Sequence, residues 1–225
     1  MADRCLLYYI TDRSQFPGDE RERRLALLAK IAEAACAGVD YVQLREKDLS
    51  GRELEMLARD ARSAVDNATS LRTEREWRTR LLINSRTDIA IATGADGVHL
   101  RADDVAPREV RRTLKVCGCR PPTNFHFLVA ASCHTAADVL SAEAECADFA
   151  VFAPVFEKSN GPGARPTGLS ALYEVCQSKI PVLALGGVTI ENAASCLDAG
   201  AAGIAGIRLF QENKIGQVVR VLRSL

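Results

Sequence analysis

One short segment of the chain carries polar side chains of different chemistry at alternating positions, namely Gln43, Arg45 and Lys47. Alternate side chains of an extended chain project to the same side, so an amide, a guanidinium and an ammonium group converge there. Two cations and an amide suit a diphosphate or a carboxylate. The alternative is that Arg45 and Lys47 form ion pairs with Glu46, Asp48 or a neighbouring helix and bind no ligand.

A glycine pair, Gly186-Gly187, follows the apolar run from Val182 to Leu185. Backbone amides left bare by glycine bind phosphate well, and barrel proteins form such sites after their seventh and eighth strands. The small-residue run from Gly203 to Ile207 is the next apolar run along the chain and would form the second part of such a phosphate site. The alternative is a tight turn that needs glycine only for its backbone conformation.

An acidic pair, Asp103-Asp104, follows another apolar run. A carboxylate that faces two cations and an amide is a natural anchor for a Mg²⁺ ion that carries a diphosphate. The alternative is that these acids cap the helix that begins near Ala106-Pro107.

Two histidines lie near these segments. His99 falls inside an apolar run and is predicted to be a packed histidine, whereas His134, close to Ser132 at the end of a run, has the better claim on a site. Neither has an evident nucleophile partner in the sequence. The pattern therefore argues against a Ser-His-Asp hydrolase.

Eight apolar runs, each bounded by turn residues and separated by amphipathic helical patterns, must position these side chains. The predicted strands are Leu6 to Thr11, Tyr41 to Arg45, Leu81 to Ser85, Gly97 to Arg101, Phe127 to Ser132, Phe149 to Phe156, Pro181 to Gly187 and Gly203 to Phe210.

An internal repeat supports this division. Gly38, Gly94, Cys146 and Gly200 stand 52 to 56 residues apart in similar contexts, each where a helix ends and the chain enters a strand. Two strand-helix units fit in each interval. The segment from residue 66 to 80 breaks the pattern and is predicted to be an extended helix end or a surface insertion.

Alternation of strands and helices indicates an α/β fold, and eight units in one array favour a single (β/α)8 TIM barrel over residues 1–225 rather than an open doubly wound sheet. Barrels of this kind carry their functional side chains at the carboxyl ends of the strands. The polar residues above lie at these ends.

The composition narrows the choice of partners. Lys and Arg together number 29 and Asp and Glu number 29, so no net charge attracts nucleic acid or anionic lipid. No apolar run is long enough to span a membrane, no export signal is recognisable, and the eight cysteines are scattered. We expect a cytoplasmic protein with small-molecule ligands. A homodimer is one of the possible states.

A set of motifs resembles the thiamine-phosphate synthase and thiazole tautomerase superfamily, and the motifs occur in order along nearly the whole chain. The motifs are Tyr8-Tyr9-Ile10-Thr11-Asp12, Gln43-Leu44-Arg45-Glu46-Lys47-Asp48, Ile83-Asn84-Ser85-Arg86-Thr87-Asp88, Gly94-Ala95-Asp96-Gly97-Val98-His99-Leu100, Ser132-Cys133-His134-Thr135, Ala153-Pro154-Val155-Phe156 and Ile180-Pro181-Val182-Leu183-Ala184-Leu185-Gly186-Gly187-Val188.

The resemblance to the synthases implies Mg²⁺-dependent joining of hydroxymethylpyrimidine diphosphate to a thiazole phosphate in thiamine biosynthesis, with release of diphosphate through a pyrimidine-methyl cation. It also implies roles for particular residues. Gln43, Arg45, Lys47 and Asn84 would hold the diphosphate substrate, Asp103 the Mg²⁺, and Ser132 a place near the reacting groups, while Gly187, Ile207 and Arg208 would bound the thiazole phosphate pocket.

The same resemblance gives Lys47, Ser132 and Lys158 as the candidate catalytic residues. Lys158 lies in the segment from Glu157 to Thr167, which contains Gly161-Pro162-Gly163. We predict that this segment is a lid over the site, because a loop of this length after a barrel strand is more often functional than not.

The chain also departs from the synthase pattern. Ser85 replaces an acid that would bind Mg²⁺, residues 157–161 replace a Pro-Thr-x-Thr-Lys loop, Arg101-Ala102 replaces Gly-Gln, and Arg208 replaces a serine. Val155-Phe156-Glu157 resembles the metal-free tautomerase branch, although Pro154 stands where that branch has a histidine. A tautomerase and a catalytically impaired relative that binds a phosphate ligand are therefore the alternatives.

Overall fold

The computed structural model describes residues 4–70, 78–116, 126–157 and 165–225. Eight parallel strands close into a barrel in which each strand pairs with its neighbours in sequence and β1 pairs with β8. The predicted (β/α)8 barrel is confirmed. The strands are β1 (Leu6–Ile10), β2 (Tyr41–Leu44), β3 (Arg80–Asn84), β4 (Gly97–Leu100), β5 (Leu128–Cys133), β6 (Phe149–Phe152), β7 (Val182–Ala184) and β8 (Gly203–Gly206).

Helices follow the strands and cover the outside of the barrel. A short 3₁₀ turn, Arg13–Gln15, precedes the first of them. The helices are α1 (Glu20–Ala37), α2 (Gly51–Ser70), α3 (Thr87–Ala92), α4 (Pro107–Val116), α5 (Ala136–Ala144), α6 (Gly168–Val175), α7 (Ala193–Asp198), α8 (Arg208–Gln211) and α9 (Ile215–Arg223). Within the described ranges, none of these helices has the length and apolar character needed to cross a bilayer.

The strands are apolar throughout because both of their faces are buried. Alternate residues of β1 show the two environments: Tyr8 and Ile10 point into the barrel, whereas Leu7 and Tyr9 pack against the helices. The interior layer fills the barrel below its carboxyl end. It consists of Tyr8, Ile10, Leu82, Leu128, Ala130, Phe149, Val151, Leu183 and Ala205.

The internal repeat is a repeat of backbone conformation. The four repeat positions all adopt left-handed backbone, with φ of 88° at Gly38, 66° at Gly94, 64° at Cys146 and 91° at Gly200. Cys146 shows that the turn is kept where the glycine is not. The conformation lets each helix end and the chain enter the next strand.

Three aspartates, which we call the bottom aspartates, stand two residues after the first three of these turns: Asp40, Asp96 and Asp148. Each carboxylate accepts the backbone N–H of the preceding strand. The nitrogen–oxygen distances are 2.7 Å from Leu7, 2.8 Å from Leu81 and 2.6 Å from Val129. The fourth repeat has Ala202 at this position and no carboxylate.

Three predicted strands end at least three residues earlier than expected. β6 stops at Phe152, before Pro154, which has no N–H to donate to a ladder. β7 stops before Gly186 and Gly187, whose φ values of 94° and 65° are incompatible with strand. β8 stops at Gly206 because the amides of Phe210 and Gln211 turn back onto the Ile207 carbonyl and form α8. Of the segment from residue 66 to 80, the part up to Ser70 extends α2, and residues 71–77 lie outside the described ranges.

Candidate active site

A cavity of about 920 Å³ opens at the carboxyl end of the barrel, and residues at the ends of all eight strands line it. The predicted site residues that are described lie together there. They are Gln43, Arg45, Lys47, Asn84, Asp103, Ser132, Gly187, Ile207 and Arg208. Lys158 lies outside the described residues.

The direction of Arg45 and Lys47 is set by an ion-pair cluster that we call the Arg13 clamp, formed by Arg13, Glu46 and Asp48. The Arg13 guanidinium binds both Asp48 oxygens, at 2.7 and 2.8 Å, and a Glu46 oxygen at 3.1 Å. Burial raises the pKa of Glu46, and hydrogen bonds from Thr11 and Arg13 oppose this effect. The carboxylates of Glu46 and Asp48, which alternate with Arg45 and Lys47 along the chain, are thus held by a third cation.

As a result, alternation turns Arg45 and Lys47 toward the cavity, which both of them line. In the part of the chain that the structure describes, Glu46 and Asp48 form ion pairs with Arg13 and not with Arg45. Within the described ranges the Arg45 side chain forms no hydrogen bond or ion pair. Its charge is available to an anion in the cavity.

A short chain of amides lies beside these cations. Gln43 Nε2 donates to Asn84 Oδ1 at 2.9 Å, and Asn84 Nδ2 donates to Ser85 Oγ at 3.2 Å. Gln43 is 1% exposed, and its Oε1 has no hydrogen-bond partner among the described residues. A buried acceptor without a donor is costly, so this atom marks a place for a ligand N–H or O–H group.

A second polar row runs from the barrel interior to the cavity. Tyr8 Oη lies 3.1 Å from His99 Nδ1, and His99 Nε2 lies 2.7 Å from Ser132 Oγ. Burial and, to a smaller extent, the nearby charge of Arg45 lower the pKa of His99 to about 3, so the ring is neutral. His99 is buried as predicted, and both of its ring nitrogens contact hydroxyl groups.

Asp103, the predicted Mg²⁺ ligand, is engaged by a neighbouring cation. Arg101 Nε donates to one Asp103 oxygen at 2.8 Å, and Arg101 Nη2 binds the other oxygen. The Arg101 hydrogen bond holds the pKa of Asp103 below its usual range. Asp104 accepts the Arg101 backbone N–H at 2.7 Å, so it closes its own turn rather than capping α4.

These donors do not fit a Mg²⁺ site as they stand. Both Asp103 oxygens are paired with Arg101, and Ser85 supplies a hydroxyl rather than a carboxylate. In the part of the chain that the structure describes, no group of three or more His, Cys, Asp or Glu side chains is arranged to hold a metal. Mg²⁺ prefers oxygen ligands in octahedral positions, which this arrangement does not supply.

The glycine turn after β7 forms the opposite wall of the cavity. A Cβ at Gly186 would collide with Pro154, and one at Gly187 with Phe156 and the Glu157 carbonyl. Both glycines are therefore required for the backbone path, as the alternative interpretation stated, and the same turn lines the cavity together with Arg208.

Of the predicted lid, the structure describes residue 157 at one end and residues 165–167 at the other. Glu157 lines the cavity, and the backbone N–H and Oγ1 of Thr167 donate to the Pro154 carbonyl at 2.8 and 2.9 Å. His134 also lines the cavity, with its Nδ1 at 2.7 Å from the Ala153 carbonyl oxygen. Residues 158–164 lie outside the described ranges.

Two residues that line the cavity were not predicted from the sequence. Glu212 and Asn213 line it from the end of α8, and no motif marks them. The polar row was detectable in principle, because Tyr8, His99 and Ser132 all fall on positions that alternation directs into the barrel.

Fold and site together define an α/β-barrel protein with the architecture of an enzyme, in which a cavity at the carboxyl ends of the strands carries converging polar side chains. The sequence model of the family described as thiamine monophosphate synthase matches residues 7–210. The chain belongs to this family.

Individual relatives agree. A thiamine-phosphate synthase from Methanoculleus marisnigri is 37% identical over 97% of this chain and 92% of its own length. One from Syntrophomonas wolfei is 36% identical over 97% of this chain and 95% of its own. The structure is similar to that of thiamine phosphate pyrophosphorylase from Pyrococcus furiosus, with a TM-score of 0.76, 26% identity and coverage of 99% and 95% of the two chains.

Proposed function

We propose that this protein is a thiamine-phosphate synthase, a transferase that joins hydroxymethylpyrimidine diphosphate to a thiazole phosphate. The observation that carries the proposal is the convergence of Gln43, Arg45, Lys47 and Ser132 on one cavity that a glycine turn closes on the other side. This arrangement offers cations to one phosphorylated substrate and backbone amides to another.

The reaction exchanges one bond for another. The bond between the pyrimidine methylene carbon and the diphosphate oxygen breaks, and the diphosphate leaves with the electron pair. The thiazole nitrogen then gives its lone pair to the pyrimidine-methyl cation and forms the new C–N bond. The products are thiamine phosphate and diphosphate.

Arg45 and Lys47 have the main electrostatic role in this scheme. Negative charge grows on the diphosphate as it departs, and two fixed cations in a partly buried cavity stabilise it. Asn84 lies beside them and is assigned to the same substrate. Lys158 completes the catalytic set that we predict, together with Lys47 and Ser132.

The other substrate is assigned to the opposite wall, with Gly187, Ile207 and Arg208 around its phosphate. A guanidinium at Arg208 adds charge complementarity there. The scheme assigns no step to Mg²⁺. The metal dependence implied by the family stays a prediction, and substitution at Ser85 tests it below.

The tautomerase alternative gains no support from the site. Pro154 lines the cavity at the place where that branch has a histidine, and it carries no exchangeable proton. His99 is neutral and fully engaged by Tyr8 and Ser132. Neither residue can exchange a proton with a thiazole carboxylate in the way that an isomerisation needs.

A turnover assay tests the proposal. The protein is incubated with both substrates, with Mg²⁺ and separately with a chelator, and thiamine phosphate and diphosphate are measured. We expect the two products in equal amounts. Arg45→Ala should lose turnover, whereas Arg59→Ala, which removes a guanidinium from the outer face of α2, should retain it. Diphosphate binding without product would establish the impaired relative instead.

The wider assignments belong to the same proposal: small phosphorylated ligands, a cytoplasmic location, and one barrel domain over residues 1–225. A homodimer stays a prediction that light scattering on the purified protein can check.

A further inference from the structure

Three side chains from three strands form a continuous hydrogen-bonded row that starts in the buried interior and ends at the cavity. Tyr8 of β1 is fully buried, His99 of β4 is nearly so, and Ser132 of β5 lines the cavity. The contacts are 3.1 Å from Tyr8 Oη to His99 Nδ1 and 2.7 Å from His99 Nε2 to Ser132 Oγ.

The direction of the first hydrogen bond follows from the surroundings of Tyr8. Burial raises the pKa of the Tyr8 phenol well above its usual value, so the hydroxyl keeps its proton. Among the described residues, His99 Nδ1 is the one acceptor within hydrogen-bond distance of that proton. If the imidazole donated instead, the phenol proton would be buried without an acceptor. Nδ1 therefore accepts.

The second bond is then determined. A neutral imidazole carries one proton, and acceptance at Nδ1 places that proton on Nε2. Nε2–H donates to Ser132 Oγ, so the hydroxyl proton of Ser132 is not used by His99. The Ser132 side chain has no other hydrogen-bond partner in the described ranges. Its proton is available to a group in the cavity.

We propose that Tyr8 and His99 are positioning residues that fix Ser132 as a hydrogen-bond donor toward an acceptor atom of the substrate. This inference rests on the proposed function for its kinetic consequence. It assigns Ser132 a role opposite to that of a nucleophile, because a histidine that donates to a serine cannot withdraw the serine proton. The row thus supplies substrate orientation rather than covalent catalysis.

Steady-state kinetics of the full chain test the kinetic part. We expect Tyr8→Phe to lower kcat about tenfold, because the ring of His99 loses its fixed tautomer and Ser132 its fixed orientation. Ser132→Ala should lower kcat at least as much, and adding Tyr8→Phe to it should change kcat by less than about twofold, because Tyr8 acts only through Ser132. Multiplying effects would overturn the proposal.

Tyr41→Phe is the matched control. The Tyr41 ring packs edge-to-face on Tyr8, with centroids 5.8 Å apart, but its hydroxyl makes no hydrogen bond to the row. We expect full activity from this variant. Equal losses in Tyr8→Phe and Tyr41→Phe would show a packing effect and contradict the proposal.

Nitrogen NMR of histidine-labelled protein gives a readout that does not depend on activity. We expect the His99 signal, identified by its loss in His99→Gln, to show protonated Nε2 and bare Nδ1, and to change toward a tautomer mixture in Tyr8→Phe. A proton on Nδ1 in the wild type would overturn the inference. A wild-type chain that forms no thiamine phosphate would overturn the proposed function alone. The spectrum would still test the inference that Tyr8 and His99 orient Ser132.

Discussion

The bottom aspartates at the amino end of the barrel and the cavity residues Gln43 and Arg45 at its carboxyl end differ in whether they have partners within the described protein. At the amino end, each bottom aspartate accepts a backbone N–H and also contacts two basic side chains: Arg4 and Arg223 for Asp40, Arg62 and Arg78 for Asp96, and Arg111 and His126 for Asp148. At the carboxyl end, the buried Gln43 Oε1 has no described partner, and Arg45 faces the cavity without an acid.

This difference in pairing distinguishes residues that stabilise the fold from residues that are available to bind a ligand. Polar groups whose partners are all within the protein contribute to the free energy of unfolding, whereas groups left without partners are stabilised only when something binds. Substitutions at the two ends should therefore change different measured quantities.

Asp96→Ala should give the largest effect on stability. Asp96 is 1% exposed, and its loss removes the acceptor for the Leu81 amide and the partner of two arginines. We expect the free energy of unfolding to fall by about 3 kcal/mol, measured with urea. Glu55→Ala, which breaks the exposed pair with Arg59, is the control and should cost less than about 0.5 kcal/mol. Equal costs would contradict the contrast between the ends.

Arg45→Ala and Lys47→Ala should change affinity instead. Each removes a charge-assisted contact, so the free energy of diphosphate binding should weaken by about 2 kcal/mol, measured by calorimetry. The urea midpoint should stay close to that of the wild type, because neither side chain belongs to the Arg13 clamp. If both variants bind diphosphate as tightly as the parent, the anion site is elsewhere.

His99 lies between the two ends and predicts a dependence of stability on pH. Its folded pKa of about 3 is below the unfolded value of roughly 6.5, so below pH 6.5 the unfolded state binds a proton that the folded state does not. Stability is therefore fully present above pH 6.5 and falls as the pH is lowered toward 3, by up to about 1.4 kcal/mol per pH unit.

The comparison with His99→Gln isolates this contribution, since glutamine does not titrate and the other acids are unchanged. Urea unfolding between pH 4 and 8 should show a steeper loss for the wild type on the acid side. Parallel curves for the two proteins would mean that the folded state accepts a proton at His99.

Ser85→Asp should have the smallest effect. Ser85 has φ of 60°, a left-handed conformation that aspartate tolerates better than most residues. The new acid should strengthen Mg²⁺-dependent diphosphate binding by about tenfold or less, and more in Ser85→Asp with Arg101→Gly, because Arg101 no longer occupies the carboxylates. Ser85→Asn is the uncharged control. No added response to Mg²⁺ in either aspartate variant would exclude a two-carboxylate metal site at this mouth.

Much of the fold could be predicted because its strands and helices depend on patterns among neighbouring residues. The eight apolar runs and the repeat at Gly38, Gly94, Cys146 and Gly200 each depend on neighbouring residues alone, and all eight strands form. Strand ends were less predictable, since Pro154 and the Gly186-Gly187 turn end their strands before the apolar character does.

The site was predictable where it depends on alternation and not where it depends on distant contacts. Gln43, Arg45 and Lys47 reach the cavity as their spacing indicates. The Arg13–Glu46 pair joins residues 33 apart, and the Tyr8–His99 contact joins residues 91 apart. Such pairs follow from the register of the closed barrel, which the sequence alone does not specify. The Arg101–Asp103 ion pair joins residues close in sequence, but its formation depends on the conformation of the loop, which the sequence alone does not specify.

The alternation between the Arg13 clamp and the cavity also limits how this protein can change over evolution or in the hands of an engineer. A point substitution at residue 45 or 47 alters the charge of the mouth and leaves the clamp intact. Insertion or deletion of one residue between Gln43 and Asp48 would exchange the two sets, turning carboxylates toward the anion and cations toward Arg13. The length of this segment therefore fixes which side chains face the cavity, and viable changes of length must come two residues at a time.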